Sequence, residues 1–159
     1  MSDPTRALLD LEKRLAALEA RERGGLARSR IYNSGDQSFS SGAATTIAFN
    51  SNYTNTPSTI SSASGFTAPW AGVYLIGANV RWASNATGQR VLYIVVGGTI
   101  IAIASQNAVS GGPTDQAIAT VYPLTAGATV ILQGFQDSGG ALSVLAGGNY
   151  SPEFWIVQV

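Results

Sequence analysis

Few residues of this chain could carry out catalysis. It has no histidine and no cysteine, so the usual general base of a serine nucleophile, the thiol nucleophiles and the common transition-metal ligands are all missing. A pair of carboxylates could still cleave a glycosidic bond. The carboxylates beyond residue 30 are Asp36, Asp115, Asp137 and Glu153. Because these four are dispersed among turn residues, we predict that the protein is not an enzyme and uses no cofactor.

Some side chains are candidates for binding at the surface instead. Asp115 and Asp137 lie in Gly/Ser-rich stretches, where a carboxylate either offers calcium a hard oxygen ligand or hydrogen-bonds its own turn. Trp70 and Trp82 carry indoles that stack on a sugar where they are exposed and fill the core where they are not. We predict no metal site. The candidate surface-binding residues are Trp70, Trp82, Asp115 and Asp137.

The charged residues are concentrated at the N-terminus. Twelve of the eighteen lie in residues 1–30, and the rest of the chain holds two basic and four acidic residues, a net charge of −2. Binding to nucleic acid needs clustered Lys and Arg to displace counterions, so we expect no nucleic-acid partner. The longest apolar run, residues 91–104, is interrupted by Gly97-Gly98 and is shorter than the about 20 residues of a membrane helix. We therefore expect no membrane insertion.

Residues 1–25 have the pattern of a coiled-coil helix. Asp3 followed by Pro4 is typical of a helix start, and Gly24-Gly25 of a helix end. Four leucines at the 3, 4, 3 spacing of heptad positions a and d form a narrow apolar seam; they are Leu8, Leu11, Leu15 and Leu18. We predict that the seam joins copies of the chain. The alternative is that it packs on the remainder of its own chain.

The charges beside the seam bear on the direction of the helices. With Leu8 at position a, Arg14 falls at g and Glu19 at the following e, and these positions meet across two chains of a parallel coiled coil. A parallel arrangement is therefore favoured. Two heptads are marginal alone, so residues 26–159 must contribute to assembly as well.

From residue 26 onward the composition is that of strands and turns. Every Trp, Tyr and Phe lies at or beyond Tyr32, among Gly, Ser, Thr, Asn and β-branched residues, which predicts an all-β domain. The predicted strands are residues 29–32, 45–49, 72–82, 89–96, 99–104, 117–122, 129–136, 142–145 and 153–159. The turn Gly97-Gly98 suits a tight hairpin between two of them.

Two of these strands predict how subunits meet. Residues 74–82 are apolar at every second position, as in an antiparallel strand with one buried face. Residues 153–159 are apolar on both faces, with Phe154 and Ile156 on one and Trp155 on the other. A strand buried on both sides indicates a subunit interface, and the strand residues that we predict to take part in oligomerisation are Tyr74, Ile76, Phe154 and Ile156.

The middle of the chain resembles the globular domain of C1q and its tumour-necrosis-factor-like relatives. The resemblance rests on the segment Gly65-Phe66-Thr67-Ala68-Pro69 and on Gly72-Val73-Tyr74, with Phe49 and Asn55 at the family's spacing before them. Two positions depart from the family: Ile60 and Ile76 stand where an aromatic residue is usual. Later landmarks of the resemblance are Leu124, Gly127, Val130, Ser151, Phe154 and Trp155. It covers residues 31–159.

The resemblance implies a ten-stranded antiparallel jelly-roll sandwich that assembles as a tight homotrimer, with both termini near the base where a stalk enters. Residues 1–25 would then be a coiled-coil stalk and residues 26–159 the head. Compact domains of this kind are similar to those of bacteriophage particles and of some bacterial surface and spore-coat proteins.

We therefore predict a trimeric, non-enzymatic structural protein of a bacteriophage virion, such as a fibre, spike or decoration protein. Its N-terminal helix would bind other virion proteins of the capsid, neck or tail, and its head would project towards a glycan or protein of the host surface. The start Met-Ser-Asp-Pro-Thr-Arg lacks the basic-then-apolar order of a secretion signal, which favours synthesis in the host cytoplasm. The alternative is a bacterial surface or spore-coat binding module.

Overall fold

A computed structural model describes residues 4–57, 60–148 and 150–159, without the side chains of residues 4, 17 and 19–24. The described residues form one helix followed by thirteen strands. These elements are α1 Pro4–Gly24, β1 Arg28–Tyr32, β2 Gln37–Phe39, β3 Thr45–Thr46, β4 Ser51–Thr56, β5 Ser61–Ser62, β6 Gly65–Thr67, β7 Gly72–Trp82, β8 Gln89–Val96, β9 Thr99–Asn107, β10 Thr114–Leu124, β11 Thr129–Gln136, β12 Leu142–Val144 and β13 Glu153–Gln158.

The helix matches its predicted bounds. It ends at Gly24, and Gly25 follows with φ +66°, a left-handed conformation that glycine adopts at little cost. All four seam leucines are between 57% and 62% exposed, so the alternative in which the seam packs on its own chain is wrong. Asp3 lies outside the described residues, as does the side chain of Glu19. In the described part of the chain no helix combines the length and apolarity needed to cross a membrane.

The strands form two antiparallel sheets. Sheet A has seven strands, in the order β2-β12-β7-β13-β1-β4, with β10 paired to β7 along its whole length. Sheet B has six, in the order β5-β6-β11-β8-β9, with β3 paired to β11. The predicted hairpin is confirmed: Gly97 and Gly98, which both have positive φ, connect β8 to β9, as a two-residue turn of this kind requires.

The core lies between the two sheets. Tyr74, Ile76 and Trp82 of β7 are 0% exposed, which confirms the buried face predicted from alternation. Phe154 of β13 packs against Phe66 of β6 with ring centroids 4.6 Å apart, and this contact joins sheet A to sheet B. The sheets thus bury one face each against the other, and each leaves its second face outside.

Each of the nine predicted segments contains an observed strand. In the segment 45–49, however, only Thr45–Thr46 form a strand. Four strands were not predicted: β2, β4, β5 and β6. They are short or rich in Ser, Thr and Asn, so neither apolar alternation nor β-branched residues mark them. They form because a neighbouring strand offers backbone groups to pair with, as β1 does to β4.

Candidate assembly surface

The strand residues predicted to join subunits are buried within a single chain instead. Tyr74, Ile76, Phe154 and Ile156 are all 0% exposed. Their side chains belong to the core cluster between the sheets and have no surface left for another subunit. That prediction is therefore wrong. The side chains that alternate with these four along β7 and β13 are the ones that point outward.

The outer face of sheet A carries an apolar surface made of three rows. In each row, residues of β10, β7 and the C-terminal segment 155–159 lie side by side. Leu75 pairs with Val121 on one side and with Val157 on the other, and Gly77 likewise lies between Ala119 and Trp155. Val73 pairs with Pro123, and the backbone N–H of Val159 donates to the carbonyl of Val73 at 3.0 Å. The apolar rows therefore consist of Pro123, Val73, Val159, Val121, Leu75, Val157, Ala119, Gly77 and Trp155.

Several of these side chains are exposed to an unusual degree for apolar residues. Val121 is 58% exposed, Val159 65% and Val73 43%. Single exposed apolar residues are common on protein surfaces, whereas contiguous ones mark interaction sites. The rows of sheet A are contiguous by their pairing register, which makes this face the best candidate for assembly.

Gly77 is needed at the centre of this face. A Cβ placed on Gly77 would lie 2.2 Å from Cζ2 of Trp155, so only glycine lets the indole lie directly against the backbone of β7. On the other side of Gly77 stands the small side chain of Ala119. The third row is therefore low and flat, a shape that another protein surface can approach closely.

The helix joins the head at the apolar end of the same face. The backbone N–H of Gln158 donates to the carbonyl of Ala27 at 2.7 Å, which fixes the segment between α1 and β1 beside the last residues of the chain. Arg28, the first residue of β1, pairs with Val157 of the apolar rows. The exposed leucine seam and the apolar rows thus belong to adjoining parts of the molecule.

The other end of the face is polar. Arg81 donates two hydrogen bonds to Asp115, from Nε to Oδ1 at 2.6 Å and from Nη2 to Oδ2 at 2.9 Å, and its guanidinium lies 5.4 Å from the ring centroid of Tyr150. Together with Asn79 and Ser151 these residues line a shallow depression of about 320 Å³. Every charge in it has a partner within the chain.

A second ion pair lies beside this depression. Glu153, whose side chain is 7% exposed, accepts hydrogen bonds from Arg30 and, at 2.5 Å, from Nδ2 of Asn79. The guanidinium of Arg30 also lies 4.9 Å from the ring centroid of Tyr53, which in turn stacks on Tyr32 with ring centroids 4.6 Å apart. This carboxylate is fully used in holding β1, β7 and β13 together.

The Arg81–Asp115 pair gives a prediction about titration. The hydrogen bonds from Arg81 lower the pKa of Asp115 below the ordinary value of an aspartate. A carboxylate with a lowered pKa stabilises the folded state above its ordinary pKa, and this contribution is lost as pH falls through the lower folded pKa. The midpoint of the Asp115 carboxyl resonance in an NMR titration is expected below the ordinary pKa of an aspartate, and Arg81→Gln should raise this midpoint. An unchanged midpoint in Arg81→Gln would contradict the pairing.

The four candidate surface-binding residues do not form one site. Trp82 is 0% exposed and donates from Nε1 to Oε1 of Gln116 at 2.7 Å, so its assignment to the surface is wrong. Trp70 is partly buried against the core. Asp115 is held by Arg81, and Asp137 accepts from the backbone N–H of Gln89. Within the described residues, no three Asp or Glu side chains form a group that could hold a metal ion.

The sequence indicated only some of the residues that form the apolar rows. The outward set of β13 stood out because both faces of residues 153–159 are apolar. The contribution of β10 did not, since Ala117, Ala119 and Val121 alternate with a mixture of polar and apolar residues. Residues of β10 belong to the rows because β10 pairs with β7. The residue pattern of a single strand does not reveal which strand it pairs with.

Comparison with solved structures identifies the fold as that of tumour necrosis factor and C1q globular domains. The chain is similar to Eiger TNF from S. frugiperda, with a TM-score of 0.64, 14% identity and coverage of 84% of this chain and 92% of that one. It is similar to murine APRIL, with a TM-score of 0.65, 11% identity and coverage of 85% and 100%. The globular domain of zebrafish complement 1qA protein gives 0.60, 11%, 84% and 97%. No family model and no curated protein matches the sequence. At these identities the likeness shows a C1q/TNF-like jelly roll and nothing finer.

Proposed function

We propose that this jelly-roll protein is a non-enzymatic homotrimer that serves as a structural protein of a bacteriophage virion. One observation supports the assembly: α1, with its exposed seam leucines, joins the head at the apolar end of the exposed outer face of sheet A. Burying a Val or Leu side chain contributes about 1.5–3 kcal/mol, so a chain that leaves this many in water gains stability by assembling.

The trimer uses both parts of the apolar surface. Three copies of α1 pack their seam leucines in a parallel coiled coil, and the heads pack around the same axis through the outer face of sheet A. Position a and d leucines alone do not choose the number of helices, so the heads set it. The resemblance to C1q-like heads favours three copies, consistent with the shared fold.

The virion role rests on the arrangement of a short helix and a compact head. α1 is the anchor to other virion proteins, and the head projects with its polar loops towards the host surface as part of a fibre, spike or decoration. The four head carboxylates act structurally: two hold arginines, and Asp36 and Asp137 accept from backbone N–H groups of Ala146 and Gln89. Each of the four therefore has a hydrogen-bond partner within the head.

Two measurements test the proposal. Native mass spectrometry of the full chain should give about 49 kDa, three times the 16.4 kDa of one chain, and a monomer at micromolar concentration would overturn the assembly. Immunogold labelling with antibodies against the head should mark phage particles from a lysate in which the protein is expressed. Unlabelled particles would overturn the virion role and leave the trimer standing.

The contribution of the helix is measured by the seam leucines. Replacing Leu11 and Leu15 together by Ser should weaken trimer association at least about tenfold, because about 1.4 kcal/mol corresponds to that factor and each buried leucine contributes more. Leu9→Ser is the matched control, since Leu9 is 54% exposed and lies on α1 outside the seam. Dissociation followed by dilution in analytical ultracentrifugation gives the comparison. Equal effects of the seam and control variants would contradict the coiled coil.

A further inference from the structure

The outer face of sheet B is apolar too, and the assembly proposed above does not use it. Three neighbouring strands, β11, β8 and β9, each place three side chains on it. Tyr93 is at the centre, paired with Gln133 on one side and Ile103 on the other. The full set, called here the sheet B grid, is Phe135, Val91, Ser105, Gln133, Tyr93, Ile103, Ile131, Val95 and Ile100.

The grid differs from an ordinary solvated sheet face in two ways. It contains no charged residue, although a solvent-facing antiparallel sheet normally alternates apolar residues inside with polar ones outside. Val91 and Val95 are only 6% and 5% exposed although they lie outside the core cluster between the sheets. These two valines are therefore withdrawn from solvent although they lie on the side of sheet B that faces away from the core.

The side chains at one edge of the grid stand free. Ile103 is 62% exposed and Ile100 49%, both on the edge strand β9. Their partners across the strands are Tyr93 and Val95 of β8, so the exposed isoleucines form a ridge beside a lower apolar floor. A second surface with the same ridge and floor can interdigitate with it, as the inner faces of two packed sheets do.

We propose that the sheet B grid is a contact between two copies of this chain, formed by pairing the same face of each about a twofold axis. A twofold contact needs only one self-complementary surface, and the uncharged grid brings no like charges together. A charged partner finds nothing on it to pair with. The head's net charge of −2 beyond residue 30 adds only weak repulsion between copies.

The small area of the grid limits the affinity of this contact. Three strands about 4.8 Å apart and three positions about 6.8 Å apart along each span on the order of 300 Å². A stable interface buries about 800 Å² per partner, so a single grid contact is weak and depends on concentration. A trimer would present three grids, and pairing on all three would link trimers into larger assemblies.

The test is sedimentation of the full chain over a range from low micromolar to near-millimolar concentration. The species present at the lowest concentration is called here the base unit. The weight-average mass should rise above the mass of the base unit as the concentration increases. Ile103→Lys should weaken this rise at least about tenfold, because it removes an apolar contact and places a charge in the interface. Val109→Lys, at a position that is 45% exposed and outside the grid, is the matched control.

Ile100→Ser serves as a second variant that adds no charge, and circular dichroism checks that each variant folds. The base unit should be unchanged in both, which separates failure of this contact from failure of the trimer: if the base unit is one chain, the grid still predicts pairs of chains. A mass that stays constant across the range, or a rise that both grid variants leave intact, overturns the contact.

Discussion

A full chain carrying Val121→Glu is expected to run as a single chain of 16.4 kDa at concentrations where we expect the native chain to form trimers. Val121 is 58% exposed, so glutamate fits the folded protomer without disturbing its core. In the assembly the same side chain lies among the apolar rows of sheet A, beside Leu75. Burying an unpaired carboxylate there costs several kcal/mol per copy, and a trimer contains three copies.

The matched control for this variant is Val109→Glu. It makes the same change at a position that is 45% exposed and lies in the loop after β9, away from sheet A's outer face. Native mass spectrometry of both variants, with circular dichroism to confirm folding, separates an interface effect from a general effect of charge. A trimeric Val121→Glu chain would mean that the heads assemble through another surface.

Trp82→Ala is expected to lower the free energy of unfolding by about 3–5 kcal/mol, the range seen when a buried aromatic side chain is truncated. The indole is 0% exposed and packs edge-on against Phe39 with ring centroids 5.3 Å apart. Its loss also removes the donor to Oε1 of Gln116 and leaves that atom without this bond in a buried site. Since folded domains are stable by only about 5–15 kcal/mol, the variant should be close to unfolding.

Trp70→Ala is the control, because it removes the same atoms from a side chain that is only partly buried and should cost less. Urea denaturation of both at one protein concentration gives the comparison, since assembly makes stability depend on concentration. A cost for Trp82→Ala no larger than that for Trp70→Ala would contradict the core role and return Trp82 to the surface.

The fold class was readable from the sequence because its signals are local. The leucine spacing predicted the helix, Gly24-Gly25 predicted its end and Gly97-Gly98 predicted the hairpin. Each of these features depends on backbone conformations that are determined by residues close together in the sequence. The position of Arg90 was not readable. The sequence counts it as a charge of the head, whereas its guanidinium is buried and donates to the carbonyls of Asn85, Thr87 and Gln89. Burial lowers its pKa.

By itself the sequence determined an all-β head on a short amphipathic helix, together with the absence of histidine and cysteine chemistry. Only the tertiary structure decided which of its two apolar faces β13 buries. Alternation defines two faces for β13 but does not rank them, because both carry apolar side chains; the contact of Phe154 with Phe66 makes one the core. Trp155 is thereby turned outward onto Gly77, and it joins the apolar rows because β7 and β10 pair beside it.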